Sequence, residues 1–211
     1  MNRVFLYLDN SHIFIGAKAV AGEREGGTAR YRVRMHFRNL VGLGARGRDI
    51  ERALAVGSIP PELRHVWNRL ENEGVQVILL ERGALHGQEV GVDQVLQVQM
   101  LRDALDHNGD PGIAVLLTGD GAGFDSGAGF HRDLERMHRK GWRIEVLSWR
   151  RSCARRMREW AESNGRFIAL DDHYEEITFL EPPLPGQPIA PPREARSLAS
   201  FEPRSAQPDA P

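Results

Sequence analysis

Short apolar runs alternating with segments of helical period constrain this chain more than any other feature. Residues 3–8 (RVFLYL), 49–59 (DIERALAVGSI), 75–80 (VQVILL), 113–118, 143–149 (RIEVLSW) and 167–170 each read as a strand. Between them lie helical patterns. Residues 61–72 place Leu63, Val66, Trp67 and Leu70 on one face, with Pro61 in the first turn and Gly74 after the last. Residues 91–107 carry Val92, Val95, Leu96, Met100, Leu101 and Ala104 at helical spacing, and 132–139 and 153–162 follow suit. Strands alternating with helices of about 10–15 residues make βαβ units and a mostly parallel sheet. The expectation is a single α/β domain with a sheet of about five strands flanked by helices. Residues 14–20 read as the beginning of a helix, and 31–44 as an amphipathic segment of undecided type.

The hydrophobic share, 41% of 211 residues, is enough for one real core and one domain, taken as 1–180. From Pro182 onward stand nine of the twelve prolines, without periodicity. Residues 181–211 therefore read as a disordered or extended Pro-rich tail, either a solvated chain or a segment that binds an unknown protein. No apolar run approaches the roughly 20 residues of a membrane span. The first residues read directly as a strand, without the h-region or cleavage site of a secretory signal, so no secretory leader is expected. A lone cysteine, Cys153, excludes an intramolecular disulfide and fits a cytoplasmic setting. The net charge of -1 does not decide for or against nucleic acid, since local patches matter more than the sum. A homo-oligomer stays open.

Residues 115–130, VLLTGDGAGFDSGAGF, hold the chemistry. An apolar strand ends in Thr118, Gly119 and Asp120, and a glycine-rich turn leads to a helix. Open α/β sheets bind ligands outside the carboxyl ends of their strands. Gly119 and Asp120 would also serve as a plain turn. Asp9 ends the first strand in the same way, followed by Asn10, Ser11 and His12, and Asp93 begins a helix. Strand ends and the starts of following helices share one edge of a parallel sheet, so these three carboxylates are placed to converge. Two carboxylates about 4 Å apart repel by roughly 4 kcal/mol at an effective dielectric near 20. Such a cluster calls for a cation, and an all-oxygen donor set suits Mg²⁺ or Mn²⁺. A divalent ion there supports hydrolysis of a phosphodiester by activating water and stabilising phosphoryl charge.

LYLDNSHIF, GVDQVLQVQML and VLLTGDGAGF resemble the three acidic motifs of the NYN domain family, the LabA-like branch of the PIN-like nuclease superfamily. The likeness spans roughly residues 3–170. It implies a PIN-like parallel α/β fold, a divalent metal (Mg²⁺ or Mn²⁺) held by Asp9, Asp93 and Asp120, and cleavage of RNA. Asn10, Ser11 and His12 would hold the first loop and position substrate. The chain departs from the family pattern at three places. His12 stands where many members carry Asn, Gln99 where a further acid is common, and the last motif lengthens the usual Gly-Asp-x-Asp-Phe. Asp125 is the candidate to supply the missing carboxylate as a catalytic residue. Loss of one acid weakens a second metal site more than the first, so the alternative is a non-catalytic RNA-binding or regulatory module.

With RRSCARRMRE on a helix, Arg151, Arg155 and Arg158 share one stripe, as a surface tracking RNA phosphates requires, or as a solvated face. Cys153, Trp142 and Trp149 read as core, and His131 as a helix-start residue. The glycine-rich GDGAGFDSGAGF invites a dinucleotide- or phosphate-loop reading, but it lacks the lysine and Ser/Thr of a P-loop. It also lacks the acidic strand-end partner about 20 residues on, because Glu145 lies inside its strand.

Overall fold

The computed structural model describes residues 3–59, 64–81, 91–183 and 191–198. Its central sheet is built from β1 (Val4–Asp9), β3 (Ile50–Ile59), β4 (Gln76–Glu81), β5 (Ile113–Leu117), β6 (Arg143–Ser148) and β7 (Arg166–Ala169), in the order β4-β3-β1-β5-β6-β7. All neighbouring pairs are parallel. The sheet has six strands rather than about five, one for each of the six apolar runs, with Arg166–Ala169 at the edge beside β6. The α/β fold class and the parallel sheet are as the alternation implies.

Alternate residues divide the strands between two cores. Val4, Leu6 and Leu8 of β1 pack with Val115 and Leu117 of β5 against α1 (Asn10–Arg24), α3 (Phe37–Ala45) and α4 (Arg64–Asn72). Phe5, Tyr7, Ala114 and Leu116 face the opposite way, onto α5 (Val92–Asp106), α6 (Gly129–Arg139) and α7 (Arg155–Asn164). β1 and β5 are buried at every position, as strands covered on both faces must be. Connections from β1 outward to β4 use the first set of helices, and those from β4 to β7 the second. The order therefore reverses between β1 and β5, and a crevice opens at such a switch point beyond the strand ends.

Residues 31–44 resolve into the end of α2 (Ala29–Arg32), a three-residue strand β2 (Val33–Met35) and most of α3. β2 pairs antiparallel with β8 (Thr178–Leu180), which follows the short helix α8 (Tyr174–Ile177). Of the Pro-rich tail, residues 191–198 are docked on the domain rather than free. Arg193 pairs by its backbone with Leu180, bonds Thr178 through its side chain, and reaches Glu25 at 3.0 Å. Leu198 packs on the core beside Gly42. Residues 184–190 and 199–211 lie outside the described residues. Among the described residues no helix is long and apolar enough to cross a membrane.

Candidate active site

The register of β1 on β5 runs from Val4↔Ile113 to Leu8↔Leu117, which brings Asp9 and Thr118 level at the carboxyl edge. Asp9 caps α1: its Oδ1 accepts from the His12 backbone N–H at 3.1 Å. Its Oδ2 accepts from the Thr118 hydroxyl at 2.9 Å. The same hydroxyl oxygen accepts the Asp120 backbone N–H at 3.3 Å, and Asp120 Oδ1 accepts from the Ala122 N–H at 3.0 Å. One buried threonine thus ties two acidic positions together across the switch point.

α1 begins at Asn10, not near residue 14, so Asn10, Ser11 and His12 occupy its first turn instead of a loop. Asn10 is buried, and its Oδ1 has no hydrogen-bond partner. His12 Nε2 is likewise buried and unpartnered, and it points at the Gly119 backbone. A Cβ on Gly119 would sit 2.5 Å from Ser148 Oγ, 2.7 Å from the Cys153 Cα and 2.9 Å from His12 Nε2. Glycine is required there because three elements converge on its Cα. The turn is also clasped from beyond β6: the Ala154 N–H donates to the Gly119 carbonyl at 2.8 Å, and Gly121 packs on the Ala154 methyl.

Asp93 lies half-buried in the first turn of α5, where the helix dipole favours a carboxylate, after Gly91 in the left-handed region at φ 92°. Gln99, two turns on, belongs to another network. Its Nε2 donates to Asp103 Oδ1 at 2.8 Å, while Asp103 Oδ2 accepts from the Tyr7 hydroxyl at 2.8 Å and pairs with Arg52 at 3.1 Å. Burial and the neighbouring Asp103 charge push the Tyr7 hydroxyl far above the usual range, so it stays a donor and pins α5 to β1. Asp125 does not join Asp9 and Asp120. Its exposed carboxylate pairs with Arg156 at 2.6 Å. Among the described residues, no group of three or more His, Cys, Asp and Glu side chains is gathered to hold a metal ion. The carboxylates at the switch point, Asp9 and Asp120, are nonetheless oxygen donors, with Asn10 and the His12 imidazole in the adjoining first turn of α1. That chemistry fits a hard cation, since Mg²⁺ is commonly held by one or two carboxylates and retains its waters.

The arginines fall differently from the expected stripe. α7 starts at Arg155, so Arg151 lies in the preceding turn, where it pairs with Glu23. Arg155 reaches Glu159 at 3.7 Å, and Arg158 donates to the Arg150 carbonyl at 3.4 Å. Arg150 forms a two-pronged pair with Asp172 at 2.7 and 2.6 Å, which raises the arginine pKa and lowers that of the aspartate. Cys153 is buried, and loss of solvation pushes its thiol up to about 11, consistent with packing rather than nucleophilic attack. Sequence reasoning missed the Thr118 linkage and Ser148. A hydroxyl two residues before Asp120 was the available signal for the first.

A model of the NYN domain matches residues 3–173. No curated protein matches the chain. Among solved structures, a protein of unknown function from Vibrio parahaemolyticus is similar in fold, with a TM-score of 0.57 at 18% identity, over 81% of this chain and 94% of that one.

Proposed function

Because the chain belongs to the NYN domain family, a branch of the PIN-like nucleases, we propose that it is a divalent-metal-dependent ribonuclease of the cytoplasm. Asp9, Asp93 and Asp120 are the residues we assign to the metal. The observation that carries the reading is the Thr118 hydroxyl joined to Asp9 and to the Asp120 backbone at the point where strand order reverses. Mg²⁺ or Mn²⁺ held there supplies activation of water and charge stabilisation on the phosphoryl group. The chain's own part is to hold the carboxylates still. Asp9 is fixed by two hydrogen bonds, from the His12 N–H and the Thr118 hydroxyl. Asp120 is fixed by its bond from Ala122 and by the packing around Gly119 and Gly121. Asn10, Ser11 and His12 line the first turn of α1, from which substrate is positioned.

A second reading, an RNA-binding module without catalysis, draws on the commitment of Gln99 to Asp103 and of Asp125 to Arg156. Incubating an end-labelled, mixed-sequence single-stranded RNA with Mn²⁺, with EDTA and with Asp120→Asn separates the two. Metal-dependent cutting lost in the variant supports the nuclease. Binding without cutting, and no thermal stabilisation by Mn²⁺, supports the module.

A further inference from the structure

Asp125 lies on the short 3-10 turn Phe124–Ser126, with its side chain 90% exposed and paired with Arg156. Arg156 stands in the first turn of α7. That turn holds no acidic residue, its cap residue Ala154 makes no side-chain hydrogen bond, and Arg155 and Arg156 occupy it together. Cations at a helix N-terminus are opposed by the macrodipole. Stability alone would place acids there. The negative charge is instead brought in from the neighbouring turn.

The geometry holds Arg156 in place independently of Asp125. Its guanidinium lies 4.7 Å from the centre of the Phe124 ring, and that of Arg132 lies 3.7 Å away. The ring stacks on buried His131 at 4.3 Å, and Arg132 Nε donates to the Phe124 carbonyl at 3.1 Å. The start of α7 adjoins the turn that carries Asp120, because Arg155 and Arg156 directly follow Ala154, the residue that clasps Gly119 and Gly121.

We propose that in the free protein the Asp125 carboxylate occupies, on Arg156, the place taken by a backbone phosphate of single-stranded RNA. RNA then docks beside Asp120 by exchanging one anion for another. The proposal rests on the ribonuclease reading for the identity of the ligand. A carboxylate and a phosphodiester offer the guanidinium the same kind of paired anionic oxygens. An exposed ion pair is weak, so the exchange is readily reversible.

The test is anisotropy of a short fluorescein-labelled oligouridylate, titrated with the full chain in EDTA so that nothing is cut, between about 50 and 200 mM salt. Both residues are exposed, and neither substitution disturbs the core. Asp125→Asn is expected to bind roughly two- to fivefold tighter. Arg156→Ala should bind about tenfold weaker, with a log–log salt slope shallower by about 0.7. The double variant should match Arg156→Ala. The proposal is overturned if Asp125→Asn binds no tighter, or if it still tightens binding without Arg156. It is also overturned if Asp125→Asn leaves binding unchanged and abolishes Mn²⁺-dependent cleavage, which would make Asp125 a catalytic carboxylate. Those results leave the nuclease standing. Absence of both RNA binding and cleavage in the wild-type protein removes the two together.

Discussion

The Thr118 hydroxyl donates to Asp9 Oδ2 at 2.9 Å, and its oxygen accepts the Asp120 N–H at 3.3 Å. Thr118 is fully buried, so neither contact competes with bulk water. One side chain therefore sets the rotamer of one assigned metal ligand and the backbone course of another. Partners that orient ligands in this way typically account for 10–100-fold in metal affinity or activity. Thr118→Val keeps the shape and deletes the hydroxyl. It should lower Mn²⁺ affinity, read by Mn²⁺-dependent thermal stabilisation, by about that factor. Thr118→Ser should restore most of it. Equal Mn²⁺ responses from the valine and wild-type proteins would show that the hydroxyl positions nothing.

The central strands were legible because burial on both faces leaves an unbroken apolar run. β1 and β5 could be read directly, and with them the strand ends at Asp9 and Thr118. β2 was not legible. Three residues form a strand there only because β8, more than 140 positions later, pairs with them. The start of α1 was hidden because Asp-Asn-Ser reads equally well as a turn, whereas here Asp9 caps a helix. Arg151 was misplaced for a related reason. The backbone carbonyl of Trp149 accepts from Ser152 and Cys153, forming a turn that delays α7 to Arg155. Which hydroxyl meets which carboxylate depends on strand register, and no local pattern carries that.

Gly16 of α1 lies against the indole of Trp149, and a Cβ there would overlap the ring. The ring has no easy retreat. Trp149 is fully buried, and its Nε1–H donates to the Ile13 carbonyl at 2.8 Å. Gly16→Ala gains helix propensity but overpacks the core, at a cost of about 1–3 kcal/mol. Chemical denaturation should show that loss, because the steric term exceeds the gain of up to about 1 kcal/mol from replacing glycine. A variant as stable as the wild type would mean that α1 shifts freely on the sheet.

Glu145 projects from β6 onto Arg48, with Nη1–Oε1 and Nη2–Oε2 both 2.8 Å and both side chains largely buried. Arg48 also donates to the Ala45 and Gly44 carbonyls, closing the end of α3. Glu145→Ala leaves a half-satisfied guanidinium in a poorly solvated place, which should cost about 3–5 kcal/mol. Replacing both residues by methionine should recover much of that loss, since removing a buried pair together is far less harmful than orphaning one member. If the double variant is no better than the single one, the carbonyl contacts of Arg48 matter more than its partner.

His131 makes the fold sensitive to acid. Burial between Phe124 and Trp160 lowers its pKa below 6.5. Glu135, 3.7 Å away, opposes the shift, while Arg132 and Arg156 add to it. The unfolded chain therefore takes up this proton at a higher pH than the folded one. Above about 7 the group contributes no pH dependence. As pH falls below 6.5 and on through the folded pKa, stability is lost. His131→Phe keeps the stack on Phe124 and removes the titration. Its melting temperature should fall less than that of the wild type between about pH 7.5 and 5.5, the range in which histidine alone among ordinary side chains changes charge. Parallel curves for the two proteins would place the acid sensitivity elsewhere.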